Sequence, residues 1–234
     1  MYPEDLFQFV ASIAPGTQQV WDCGTGNGQA VALAQHFNIV CASDPSAEQI
    51  AHAIPCEGVS YSVQPAESTN YRECSFDAVC VSQALHWFDF PVFFQETKRV
   101  LKTRGILGAW GYDWFRVTRA FDATFDKVIM QVIENDWAPQ NAILWNGYKD
   151  VQIPFTPIKT PKFQIQVSWN LYQLLAYVHT WSSVRRCMAR IGRSFFTHAE
   201  VALGLHWGSP ESVREFIMPL YFLACRYTDT NAQS

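Results

Sequence analysis

Between Asp22 and Gly28 the chain reads Asp-Cys-Gly-Thr-Gly-Asn-Gly, a carboxylate followed by glycines at alternate positions 24, 26 and 28. Glycines so spaced let a backbone approach a ligand closely. An apolar stretch before them and a helix-like one after them give the strand–loop–helix context of a nucleotide pocket. Two chemistries compete for it. A dinucleotide site sets a pyrophosphate on helix amides and takes the spacing G-x-G-x-x-G, and the position of its third glycine is Gln29 here. Asp22, closing the strand, is a poor neighbour for a pyrophosphate and a good one for an ammonium group. S-adenosyl-L-methionine carries an ammonium, a carboxylate and a sulfonium but no phosphate, so the loop favours that cofactor over a nicotinamide dinucleotide.

Asp44 ends the next apolar stretch, where the crevice outside the carboxyl ends of parallel strands opens. A carboxylate there can accept both ribose hydroxyls; capping of the helix that starts near Ser46 is the competing role. Ala66-Glu67 and the segment SQALHWFD (82–89) follow the third and fourth apolar stretches, at the mouth of the same crevice. His86, beside Trp87, is a candidate general base, and an imidazole among aromatics serves as often in packing or orienting. Trp87, Trp110 and Tyr112 suit either a sulfonium or the wall of an acceptor pocket, with plain core burial competing for Trp110. A carboxylate acceptor would call for arginines. Arg185 and Arg186, with Arg116 and Arg119, are the candidates, against the ordinary role of a solvated helix face.

The elements that must position these groups follow from periodicity. Residues 3–14 form an opening helix with Leu6, Phe7, Val10 and Ile13 on one side, ended by Pro15-Gly16. Strands are expected at 19–23, 39–43, 59–63, 76–82 and 105–110. The fourth, FDAVCVS, is continuously apolar as a central parallel strand should be. Helical stripes alternate with them: Ala30, Leu33, Ala34 and Phe37, then a helix capped by Ser46, then Phe93, Thr97, Val100 and Leu101. This alternation predicts right-handed βαβ units and a parallel sheet with helices on both faces. After Gly111 the rhythm changes. A long helix is expected at 117–133, a strand at 163–169, a helix at 171–190 and an apolar strand at 216–226, whose Pro219 argues for an edge or a bulge. Residues 112–160 read as a helical cap over the sheet's C-terminal edge, with about 161–234 completing a mostly parallel, seven-stranded sheet in a single domain.

Composition bounds the alternatives. The 234 residues are 49% hydrophobic and 16% charged, with a net charge of −4, which fits an ordinary globular interior and gives no basic footprint for nucleic acid. The seven cysteines include no C-x-x-C pair and are odd in number, so neither a disulfide framework nor a metal site is expected. The opening Met1–Asp5 lacks the layout of a signal peptide, and no apolar run is long enough to span a bilayer. A cytoplasmic protein with no membrane partner is the expectation.

WDCGTGNGQA, SDPSAEQIAHA, AVCVSQALHWFD and KRVLKTRGILGAWGY, in this order, resemble class I S-adenosylmethionine-dependent methyltransferases. The similarity is greatest to the small-molecule branch of type 11 domains, the trans-aconitate methyltransferase-like proteins. It covers residues 2–112, and LYQLLAYVHTWSSVRR (171–186) resembles that branch's later helical part. The resemblance implies a Rossmann-like fold and a small-molecule methyl acceptor bearing a carboxylate or hydroxyl. It implies that Asp22, Gly24, Gly26 and Gly28 hold the methionyl end, that Asp44 binds the ribose and that Pro45 lies beside the adenine. It further implies that Ala66 and Glu67 face the adenine ring and its amino group, and that Gln83 and Ala84 face the methionyl and sulfonium region. Two departures stand out. The family's K-P-G-G turn before strand five is Lys102-Thr103-Arg104-Gly105, a change expected to cost local stability. The chain also opens directly on the YPE helix, where relatives often carry a further covering segment. A nicotinamide oxidoreductase and a non-catalytic cofactor-binding protein are the alternatives to methyl transfer.

Overall fold

The computed structural model describes residues 2–112 and 114–228, without the side chains of Gln29 and Ala30. Among these residues eight strands are β1 (Gln19–Cys23), β2 (Ile39–Asp44), β3 (Val59–Val63), β4 (Phe76–Ser82), β5 (Leu101–Tyr112), β6 (Thr156–Ile158), β7 (Gln164–Trp169) and β8 (Arg214–Arg226). Among the described residues eight α-helices are α1 (Glu4–Ile13), α2 (Ala47–Ala51), α3 (Phe90–Val100), α4 (Arg119–Phe125), α5 (Asn141–Trp145), α6 (Leu171–His179), α7 (Ser182–Ile191) and α8 (Ser194–Trp207). The chain divides into two compact units, Met1–Asp113 with Ala142–Phe163 and Leu220–Ser234, and Trp114–Asn141 with Gln164–Pro219.

The first unit carries the sheet, in the order β3-β2-β1-β4-β5-β8-β6. Its first five strands are parallel, while β8 runs antiparallel to β5 and to β6. Alternation along the strands explains why both faces are dry. Trp21, Cys23, Val79, Val81, Leu107 and Ala109 enter one core with Phe93, Phe94 and Val100 of α3. Val20, Val40, Ala42, Ala78, Cys80 and Ile106 enter the other, with Leu6, Phe7 and Val10 of α1 and with Leu33 and Phe37. This is a mixed seven-stranded sheet in the expected Rossmann-like arrangement, with helices on both faces.

The second unit packs α4, α6, α7 and α8 with β7 and the first half of β8 around aromatic rings. Phe115 meets Phe125 and Phe216, and Phe121 meets Trp207.

Several expected elements are corrected. The stripe after Gly28 is wound as a 3-10 helix over Gln29–Gln35, and it still buries Leu33 and Phe37. The helix expected at 117–133 is α4 running into a π-helical turn at Asp126–Met130. The one expected at 171–190 breaks at Trp181, whose backbone is extended, into α6 and α7. The sheet's last edge is β6, not residues 163–169, because β7 pairs only with the first half of β8. The departure from the sheet is therefore not one insertion at 112–160. Leu144, Tyr148 and Phe155 return to the first unit's core, and 164–219 belong to the second unit. Pro219 lies at an edge, as expected, because its stretch of β8 is paired with β7 alone. It is the last β8 residue opposite β7, and pairing with β5 begins at Leu220, so the residue without an N–H sits where the partner changes.

Candidate active site

In the first unit Asp22 lies between Ala42 of β2 and Cys80 of β4, so neighbours on both sides keep it from water. It is 2% exposed and its Oδ2 has no hydrogen-bond partner. Burial pushes its carboxyl up to about 6, with the Thr25 hydroxyl acting against the rise and the nearby charge of Asp44 adding to it. The chain then turns through Gly24, Gly26 and Gly28 at φ of 71°, 59° and 120°. At Gly24 a Cβ would stand 2.6 Å from the Cβ of Ala84, so this glycine is what lets the segment after β4 approach the loop. Gly26 meets nothing; its positive φ is what requires glycine there. The amides of Gly24 and Thr25 both donate to the Ser43 carbonyl, at 2.9 and 3.0 Å, tying the loop to the end of β2.

Asp44 completes that tie. Its Oδ2 accepts from the Gly26 amide at 3.0 Å and its Oδ1 from the Ser46 amide at 2.9 Å. The cap of α2 is the Ser46 hydroxyl, which accepts from the Gln49 amide at 3.2 Å. Capping therefore does not account for Asp44, which braces the glycine loop instead. Pro45 is exposed beside it. Beyond β3, Ala66 is buried, and Glu67 Oε1 accepts from the amide of Asp89, the N-cap of α3.

After β4, Gln83 takes φ 54° and donates its amide N–H to the Trp110 carbonyl at 2.8 Å. Its side-chain Oε1 is buried and unpartnered. Ala84 is buried against the glycine loop. His86 lies in a 3-10 turn, Leu85–Trp87, is 4% exposed and has an unpartnered Nδ1. Burial lowers its pKa to about 4, so the ring is neutral at pH 7 and a weak base. Trp87 is half-exposed, whereas Trp110 is buried between Tyr2, Phe7 and Phe222, the core role. Arg185 is exposed on α7 in the second unit and is not among the residues the first unit brings together. In that unit Arg186 and Arg190 both bond to Asp136.

Three residues join the site that periodicity did not single out. Tyr2 accepts a 2.8 Å hydrogen bond from the Ser82 hydroxyl and lies within the electrostatic reach of Asp22. Thr25, inside the glycine motif, is 5% exposed with an unpartnered hydroxyl. Tyr148 is 1% exposed, also with an unpartnered hydroxyl. Thr25 was legible as part of the loop; Tyr148 gave no signal because the residues it lies beside, such as Gly111, are distant from it in the chain.

Chemically, the first unit offers a partnerless buried carboxylate oxygen, a glycine cradle and several orphaned neutral polar atoms. Such a set fits a cationic ligand that supplies the missing partners. Among the described residues no group of three His, Cys, Asp or Glu could hold a metal ion, and no helix is long and apolar enough to cross a membrane.

The comparisons agree with this geometry. Residues 21–109 match the family model described as a methyltransferase domain. A protein of Dictyostelium discoideum named as a candidate methyltransferase is 31% identical over 186 residues, which are 77% of this chain and 71% of that one. The structure of a candidate type II methyltransferase from Anaeromyxobacter dehalogenans superposes with a TM-score of 0.88 at 34% identity, over 96% of each chain. A candidate methyltransferase from Bacillus halodurans shares the fold at 18% identity and a TM-score of 0.53, over 95% of this chain and 99% of that one. An oxidoreductase reading of the glycine loop falls with these matches. The chain belongs to the class I S-adenosylmethionine-dependent methyltransferases.

Proposed function

We propose that the chain moves the methyl group of S-adenosyl-L-methionine to a small-molecule acceptor, at a hydroxyl or carboxylate oxygen, by in-line displacement. The observation that carries the reading is the partnerless Oδ2 of buried Asp22 beside the glycine cradle. The cofactor supplies a methyl group on a sulfonium that is already a good leaving group. No nucleophile on the protein is needed, and rate comes from positioning and from excluding water.

In this reading Asp22 offsets the ammonium charge, and Gly24, Gly26 and Gly28 admit the methionyl part. Asp44 accepts from the ribose with lone pairs its two amide bonds leave free, and Pro45 lies beside the adenine. Ala66 and Glu67 bound the adenine ring and its amino group. Gln83 and Ala84 face the methionyl and sulfonium region. His86, neutral and with a free Nδ1, orients a neighbour by hydrogen bonding. Within the family, the trans-aconitate methyltransferase-like branch is the reading supported by the four ordered motifs.

The test is transfer from methyl-labelled S-adenosylmethionine to a panel of small metabolites. Label in a methyl ether or ester product is expected. A protein that binds S-adenosylhomocysteine yet leaves all label in the donor would defeat the reading.

A further inference from the structure

Tyr148 and Gln83 share three properties in the first unit. Both are non-glycine residues at positive φ, 59° and 54°. Each carries a buried polar atom with no partner, the Tyr148 hydroxyl and the Gln83 Oε1. Both atoms flank Gly111 near the end of β5: a Cβ there would stand 2.8 Å from Gln83 Oε1 and 3.5 Å from the Tyr148 hydroxyl. Left-handed backbone at a residue with a side chain costs free energy and persists where the surroundings enforce it. Gly147, itself at φ 65° against the Tyr221 ring, and the packing of Leu144 against Gly111 supply that enforcement. Two strained residues thus turn two orphaned polar atoms toward one place. An orphaned buried polar group costs about 1 to 3 kcal/mol, so the arrangement is suited to a partner that arrives from outside.

The kind of partner follows from the atoms. Burial pushes the Tyr148 phenol up, so it stays protonated and can donate. An amide oxygen only accepts. One hydroxyl group answers both, accepting from Tyr148 and donating to Gln83, and keeps a second lone pair free. A carboxylate accepts from Tyr148 but leaves Gln83 Oε1, as oriented here, without a donor. It would also want a cation. The charges acting on Tyr2 and Asp22 come from carboxylates and phenols, and among the described residues no lysine or arginine shifts Tyr2, Asp22, His86 or Tyr148.

We infer that Tyr148 is an acceptor-binding residue, and that with Gln83 it holds the reacting group of the methyl acceptor as a neutral hydroxyl, on an alcohol or a phenol. The inference rests on the methyl-transfer reading above and narrows its acceptor. In the step, the free lone pair of the hydroxyl oxygen forms the new O–CH3 bond as the S–CH3 bond breaks. The sulfonium becomes a neutral thioether, and the hydroxyl proton is released to solvent.

The test compares the parent with Tyr148→Phe, which keeps the ring. Alcohols and phenols are paired with carboxylates on the same carbon skeleton, each with methyl-labelled S-adenosylmethionine. The parent is expected to methylate members of the hydroxyl set, and Tyr148→Phe to lower kcat/KM for them about tenfold or more. The variant should bind S-adenosylhomocysteine within about twofold of the parent and, without ligand, melt no lower, since it loses only an orphaned group. Transfer to the carboxylates alone, transfer to neither set, or unchanged kcat/KM overturns the inference. So does a lower melting temperature, which would mean the hydroxyl has a partner inside the protein. A matching loss of S-adenosylhomocysteine affinity overturns it too, by moving Tyr148 to the cofactor. A parent that does not bind S-adenosylhomocysteine at all is a different result and defeats the cofactor reading itself.

Discussion

Asp22 is held in its charged form at a cost set by burial. Its ordinary pKa of 3.8 is raised to about 6 in the folded protein, so between those values the folded state holds more protons than the unfolded one. Stability from this group therefore falls as pH rises from about 4 to 6, and the full penalty stands at pH 7. Asp22→Asn removes it. The variant should be more stable than the parent at pH 7.5, by about 1 to 3 kcal/mol, and should lose that advantage below pH 4, read from urea unfolding. His86 acts in the opposite sense. Lowered from 6.5 to about 4, it contributes stability that is present above pH 6.5 and lost as pH falls. Because both proteins contain His86, their difference isolates Asp22. Binding has the reverse pH trend: the ammonium favours the ionised carboxylate, so S-adenosylhomocysteine affinity should strengthen as pH rises through 6. In Asp22→Asn affinity should be weaker and flat across that range. A variant that is less stable than the parent at pH 7.5, yet binds as tightly, would contradict this account. Gain of stability with loss of binding is the usual trade at a functional site.

Among the elements, the irregular start of β5, where the family has its turn, shows what departing from a family pattern costs. Arg104 takes φ 65°, a conformation glycine adopts freely. Lys102 is fixed at 2.8 Å to buried Asp77, and the register of β4 against β5 jumps there from Phe76–Leu101 to Ala78–Ile106. This bulged stretch is thus anchored on both sides, and Arg104 absorbs the strain. Arg104→Gly should raise stability by about 0.5 to 1 kcal/mol, measured as a higher urea midpoint at unchanged m; a fall would show that the arginine stem contributes more than its backbone costs. This strain was legible, because the missing glycine of the K-P-G-G turn falls at that position. Strands β1 to β5 were legible for a similar reason: each is a short apolar run between glycines or polar turns, and local pattern decides it. α8 was not. Ala199, Val201, Leu203, Leu205 and Trp207 alternate as in a strand, and only the packing shows a helix, burying Phe196, Ala199, Leu203 and Trp207 while Val201 and Leu205 stay 67% and 80% exposed. The break at Trp181 was equally hidden, since it is fixed by contacts with Trp114, Trp137 and Phe125 that lie far off in sequence. At the site, Asp22 and Asp44 could be read because each ends a strand beside its motif. Tyr148 could not, because what makes it notable is an unpartnered hydroxyl, and partners are a property of the fold.

For the molecule as a whole, these orphaned groups predict how ligands act on stability. The first unit carries Asp22, Thr25, Gln83, His86 and Tyr148 with buried polar atoms unmatched, and a ligand that binds only the folded state stabilises it by RT ln(1 + [L]/Kd). At a concentration of about 100 Kd this amounts to about 2.7 kcal/mol, which for a chain of this length corresponds to a rise in Tm of about 5 to 10 °C. S-adenosylhomocysteine, which keeps the ammonium, the ribose and the adenine, should produce that rise. NADH should not, because its pyrophosphate would meet Asp22 where a dinucleotide loop offers amides. Each unit has its own core, so where heating resolves two transitions the ligand should move the one belonging to the sheet. Tryptophan does not distinguish the units, since both contain it, whereas hydrogen exchange does. Protection should increase at Gly24–Gly28 and around Gln83, with α4, α7 and α8 unchanged. A shift with NADH and none with S-adenosylhomocysteine would mean that Asp22 keeps its proton at pH 7 and leaves the loop to an anion. Under that condition alone the glycine spacing would lose its meaning as a signature of the cofactor.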